Sequence, residues 1–127
     1  VDDDVAVACA LMPDATIAHA VRVAGELGAD IIKIPTPKDD AVLADITAGS
    51  PVPVVVAGGI KISDPRLVLE RVDRSLKAGA IGVGVGRNIF QSERPKPLLD
   101  ALCSMVHRGA SASQAWEQFH GSSGSGA

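Results

Sequence analysis

The sequence predicts an α/β fold of parallel strands alternating with helices, cut to the pattern of an eightfold barrel. Three observations carry that expectation. Val54 to Ala57 and Ile81 to Val85 are short apolar runs rich in β-branched residues, as strands covered on both faces require. A helical interval separates them. The junction of helix end, Gly-Ala and apolar strand occurs twice, at Leu27-Gly28-Ala29 and at Ala78-Gly79-Ala80. Alternation of this kind demands crossover helices and therefore parallel pairing.

Taken in order, Val5 to Leu11 is apolar and reads equally as a strand or as a helical turn. A helix follows from Asp14, with Asp14 as its cap, Ile17, Val21, Ala24 and Leu27 on one face and Gly28 past its end. Asp30 to Ile34 is the next strand, and Asp39 to Ala48 a helix that turns Val42, Leu43 and Ile46 inward before Gly49 and Pro51 stop it. Asp64 to Ala78 places Leu67, Val68, Arg71, Val72 and Leu76 at helical spacing, with Ser63 or Asp64 as cap and Pro65 in the first turn. A short helix is expected over Asn88 to Gln91, a longer one from Pro95 to His107 on Leu98, Leu99, Leu102, Met105 and Val106, and a last one from Ser111 to Phe119 with Ser113 as cap. The expected division is a half-barrel over residues 1–120 and a Gly/Ser-rich disordered tail over 121–127.

Composition narrows the function. A complete barrel needs about 250 residues, and the chain has 127, so about half of one fits. No apolar run is long enough to span a bilayer. A formal net charge of -3 without a basic cluster argues against nucleic acid as a partner and leaves anionic small molecules open. Cys9 and Cys103 show no metal-ligand or redox spacing and read as buried thiols of a reducing cytoplasm, and His19, His107 and His120 carry no catalytic pattern. No metal and no cofactor is therefore expected. The acidic opening Val1-Asp2-Asp3-Asp4 does not resemble a secretory leader, and the absence of an initial Met suggests a fragment.

The chemistry concentrates at glycine-rich strand exits. Gly58, Gly59 and Gly86, with the guanidinium of Arg87 and the start of the short helix, could hold one phosphate between two loops. The alternative is that these glycines only make tight turns, and for Gly79 and Gly82 that reading is preferred. Strand alternation sets Lys33 opposite Ile32 and Ile34, inside the barrel, where a desolvated amine can attack a ketone and form an imine. Lys61 could supply a second cation that favours the neutral amine. On the residues alone, Lys33 reads as well as a strand-end lysine reaching solvent.

Val54-Val55-Val56-Ala57-Gly58-Gly59-Ile60-Lys61, the run Gly79 to Gln91 ending Gly-Arg-Asn-Ile-Phe-Gln, and Ala29-Asp30-Ile31-Ile32-Lys33 together resemble the class I aldolases of the archaeal fructose-bisphosphate aldolase type. That group includes aminodideoxyheptulosonate synthase and the thiolase acting on phosphorylated autoinducer-2. The resemblance covers roughly residues 18 to 119. It implies the C-terminal half of a TIM (β/α)8 barrel, with Lys33 as the imine-forming lysine and a phosphorylated ketone or sugar as substrate. Two departures stand out. Ile34-Pro35-Thr36-Pro37 replaces the family's threonine and tyrosine after the lysine, and the general acid/base tyrosine has no counterpart because the chain contains no Tyr. An FMN- or phosphate-binding barrel enzyme is a competing reading, and so is a non-catalytic half-barrel that self-associates or complements a partner half. A cytoplasmic homo-oligomer, with no membrane partner, is the expected setting.

Overall fold

A sheet of three parallel strands, flanked on one face by helices, forms the centre of the computed structural model. It describes residues 12–59 and 61–121. Chain order is α1 (Asp14–Glu26), β1 (Ile32–Ile34), α2 (Asp40–Gly49), β2 (Val54–Ala57), α3 (Pro65–Lys77), β3 (Gly82–Gly84), α4 (Arg87–Phe90), α5 (Pro95–Arg108) and α6 (Ala112–Gly121). The strands lie in the order β1-β2-β3. Lys33 is in register with Val55, which in turn is in register with Gly82. Parallel α/β architecture is thus as expected, and the possible strand at Val5 to Leu11 lies outside the described residues.

Register decides the faces. Ile32, Ile34, Val54 and Val56 are buried against α1 and α2 together with Ile17, Val21, Leu43 and Ile46. A second core joins Leu69, Val72, Leu98, Ala101, Leu102, Met105, Ala115 and Phe119 from α3, α5 and α6. Both cores lie on the helix side of the sheet. The opposite face carries Lys33, which is exposed, and half-buried Val55 and Ala57. This is the wall of a barrel seen from within.

The repeated Gly-Ala junction has one physical cause. At the end of α1, Gly28 N–H donates to Gly25 O and Ala29 N–H to Ala24 O; at the end of α3, Gly79 N–H donates to Leu76 O and Ala80 N–H to Ser75 O. These paired bonds close each helix by the same left-handed turn, and Gly28 and Gly79 take φ of 90° and 101°. Space confirms the need at Gly79, where a Cβ would stand 2.5 Å from Thr47 Oγ1.

Several details differ from the sequence expectation. Two strands are shorter, Ile32–Ile34 rather than Asp30 to Ile34 and Gly82–Gly84 rather than Ile81 to Val85. Asp14 does not cap α1, whose cap residue is Pro13; its carboxylate instead accepts from the N–H groups of Lys38 and Asp39 at 3.1 and 3.3 Å, tying the exit of β1 to α1. Leu27 follows the last helical residue and is 82% exposed. In α3 the buried stripe runs through Val68, Leu69, Val72 and Ser75, leaving Leu67 outside, since three consecutive apolar residues allow more than one phase. Asp64, not Ser63, caps that helix by accepting from Arg66 N–H. In α5, Ala101 replaces Leu99 on the buried face. Ser111, not Ser113, caps α6: its Oγ accepts from Gln114 N–H while Gln114 Oε1 accepts from Ser111 N–H, a reciprocal box. The last helix runs through Gly121, the first residue of the expected tail, with His120 stacked on Trp116. Residues 122–127 lie outside the described part.

Candidate functional site at the strand exits

All three strands deliver their carboxyl ends to one edge of the sheet, and the bonds between their exits are specific. Thr36 Oγ1, just past β1, donates to Ala57 O at 3.1 Å. Gly58 N–H, just past β2, donates to Gly84 O of β3 at 3.1 Å. Asn88 in α4 donates through Nδ2 to Gly58 O at 3.2 Å and accepts at Oδ1 from Ile62 N–H at 2.7 Å. Arg71 Nη1 in α3 donates to the same Gly58 oxygen at 3.1 Å. Below these bonds a cavity of only about 10 Å3, lined in part by Thr36, Gly58, Arg71 and Asn88, leaves no room for a ligand. Access is from the open face.

Lys33 lies on that face, as strand alternation requires, and its side chain crosses β2. A Cβ placed on Gly84 would be 2.9 Å from Lys33 Cε and 3.2 Å from Nζ. The amine therefore rests on the bare backbone of β3, two residues before Gly86. Burial of Lys33, expected from the barrel interior, is not found: the residue is exposed.

The glycines divide into two kinds. Gly58 is buried, its N–H is spent on Gly84 O, and a Cβ there would clash with Val85 Cγ1. Its role is close packing of two strand exits, and its amide is not a free anion donor. Gly59 is exposed with φ +67°, and Gly86 is exposed at the start of α4. Arg87 is half-buried and makes no ion pair among the described residues. Lys61 is half-buried and lines a cleft of about 400 Å3 with Ser63, Gln91, Arg94 and Phe119, a wall that does not include Lys33. Asn88, only 2% exposed, was not singled out from the sequence, where it reads as one polar residue after Arg87.

Parallel strands backed by helices on one face, with chemistry collected at their carboxyl ends, define a section of a (β/α)8 barrel of the enzyme type. Its sequence matches the pattern of the DeoC/LacD family aldolases over residues 4–92, and the chain belongs to that family. It is 47% identical over 105 residues to the 2-amino-4,5-dihydroxy-6-oxo-7-(phosphonooxy)heptanoate synthase of Streptomyces griseus, an alignment that covers 80% of this chain and 38% of the synthase. It is 45% identical over 100 residues to the 3-hydroxy-5-phosphonooxypentane-2,4-dione thiolase of Photorhabdus laumondii, covering 79% of this chain and 33% of the thiolase. A solved archaeal fructose-1,6-bisphosphate aldolase, whose catalytic lysine is covalently bound to the carbinolamine intermediate, superposes with a TM-score of 0.69 at 34% identity, covering 73% of this chain and 38% of that one. The chain thus spans well under half the length of these relatives.

Proposed function

We propose that this chain carries the imine-forming and phosphate-holding part of a class I aldolase acting on a phosphorylated ketone or sugar. The observation that supports it most is the reach of the Lys33 amine across β2 to Gly84. Gly86 and Arg87 follow on the same strand exit, about 7 Å further along an extended chain, a separation that a short phosphorylated ketone can bridge. Phosphate is held by the exposed amides of Gly59 and Gly86 and by the Arg87 guanidinium. Gly58 contributes shape rather than a donor.

The neutral Lys33 amine adds to the ketone carbon to give a carbinolamine, whose oxygen leaves as water, and the resulting imine is protonated. The adjacent C–C bond then breaks, and its electron pair moves into the iminium to form an enamine. The departing fragment becomes a carbonyl compound as its hydroxyl proton passes to a base. Within this chain that base is not a tyrosine, since none is present. Phosphate binding contributes by fixing the carbonyl at the amine.

Borohydride reduction in the presence of dihydroxyacetone phosphate, followed by peptide mass mapping, tests the assignment. A reduced adduct on Lys33, abolished in Lys33→Ala, is the expected result. Adduct on another lysine, or undiminished labelling of the variant, would refute it.

A further inference from the structure

The chain holds a buried device that sets the anion loop, and it lies outside the residues that would touch a substrate. The Gly58 carbonyl accepts from Asn88 Nδ2 at 3.2 Å and from Arg71 Nη1 at 3.1 Å, two donors from two different helices. A peptide unit is planar and trans, so its carbonyl and the N–H of the next residue point in opposite directions. Fixing Gly58 O against α3 and α4 therefore fixes Gly59 N–H on the other side, away from the helix layer. Gly59 is exposed and its φ of +67° is open to glycine at little strain. Without the two donors this peptide could rotate at low cost and turn its N–H away.

Asn88 does more than hold one oxygen. Its Oδ1 accepts from Ile62 N–H at 2.7 Å, so one side chain grips the loop after β2 at two points four residues apart. The same residue belongs to α4, whose first residue is Arg87. Buried amide groups are tightly oriented when both ends are satisfied, because leaving either unpaired is costly. The loop after β2 and the start of α4 are thereby tied together through this side chain, alongside the Gly58 N–H bond to Gly84 O.

We infer that Asn88, assisted by Arg71, is a positioning residue that aims the Gly59 N–H at an anion shared with Gly86 and Arg87. This rests on the phosphate reading of the site. The cation of Arg71 acts through the Gly58 carbonyl, which it polarises and orients; it is not itself a phosphate ligand in this arrangement.

The test is a titration of the full chain with inorganic phosphate, read by the backbone amide resonance of Gly59 and repeated with dihydroxyacetone phosphate and unphosphorylated dihydroxyacetone. In the unmodified chain the Gly59 amide should shift saturably with the two phosphorylated probes and not with dihydroxyacetone. Asn88→Ala should weaken that response about tenfold. Asn88→Asp, which sets a carboxylate oxygen against Gly58 O and a negative charge beside the anion, should weaken it at least as much as Asn88→Ala. Should Asn88→Ala fail to fold, Arg71→Met removes the second donor from a half-buried site, keeps the packing stem, and should weaken the response severalfold. Saturable binding that is unchanged in Asn88→Ala, or unchanged in Arg71→Met where the alanine variant does not fold, overturns the inference and leaves the phosphate site standing. No response at Gly59 in the unmodified chain overturns both.

Discussion

The Lys33 amine lies on Gly84, with Nζ 3.2 Å and Cε 2.9 Å from the position a Cβ would take there. Glycine inside a strand weakens it and marks a place where something else must approach the backbone. Here the visitor is a side chain from two strands away. Any residue but glycine at 84 would occupy the groove in which the lysine lies.

Gly84→Ala is therefore expected to push the end of the Lys33 side chain out of its groove and, because the tip of an exposed lysine shifts at little cost, to lower borohydride trapping at Lys33 about fivefold. Gly82→Ala is the control. The nearest atom to its new Cβ is Val106 Cγ1 at 3.7 Å, an ordinary contact, so trapping should change less than twofold. Equal losses in the two variants would show that strand glycines matter here only for stability.

The junction after α3 gives a purely structural prediction. Thr47 Oγ1 donates to Ala78 O at 2.6 Å and lies within reach of Ala44 O at 3.0 Å, while Gly79 beside it sits at φ 101°. Gly79→Ala combines left-handed strain with a clash against Thr47 and should cost about 2–4 kcal/mol. Thr47→Val removes the donor and should cost about 1 kcal/mol. Because the two groups touch, the costs should not add in the double variant. Urea melts of the three variants check this, and full additivity would argue that the contact is weak.

Arg87→Ala should weaken the binding of dihydroxyacetone phosphate about tenfold or more, the loss of one charge-assisted contact, and leave dihydroxyacetone almost unaffected. Titration calorimetry or saturation of imine trapping measures both. Equal weakening of the two ligands would assign Arg87 to the fold, where it opens α4.

Much of this was readable in one dimension. The strands declared themselves through β-branched runs, and the helix ends through Gly-Ala pairs, because both signals are local. Lys33 was placed on the correct face by alternation alone. Its exposure matches the solvent-reaching reading that the residues alone left open, and the choice between the two readings depends on strands opposite, which no local pattern reports. The role of Asn88 is hidden for a related reason: its partners Gly58 and Ile62 are 30 and 26 residues away, and at the start of an expected short helix it looks like any helix-opening polar residue. Ser111 is different. The spacing Ser111-x-x-Gln114 is a legible capping box, and Ser113 was preferred only by its position. Leu67, Leu69 and Leu99 went astray where runs of apolar residues support more than one helical phase.

The final prediction concerns what covers the Lys33 face. Among the described residues β1 and β3 each pair on one side only, and Lys33, Val55 and Ala57 face away from both cores. Unpaired strand edges invite further strands, and covering apolar surface contributes about 25 cal/mol per Å2. The 127-residue chain should therefore associate, with itself or with the remaining part of a barrel. Covering that face also encloses the ketone beside the amine and restricts it to poses from which attack can occur. Sedimentation velocity over a range of concentrations, paired with borohydride trapping on the same samples, measures both consequences. Trapping efficiency at neutral pH should rise with the associated fraction, and efficient C–C cleavage should require it. A compact monomer that cleaves a phosphorylated sugar at the same specific rate at every concentration would show that the exposed face needs no partner.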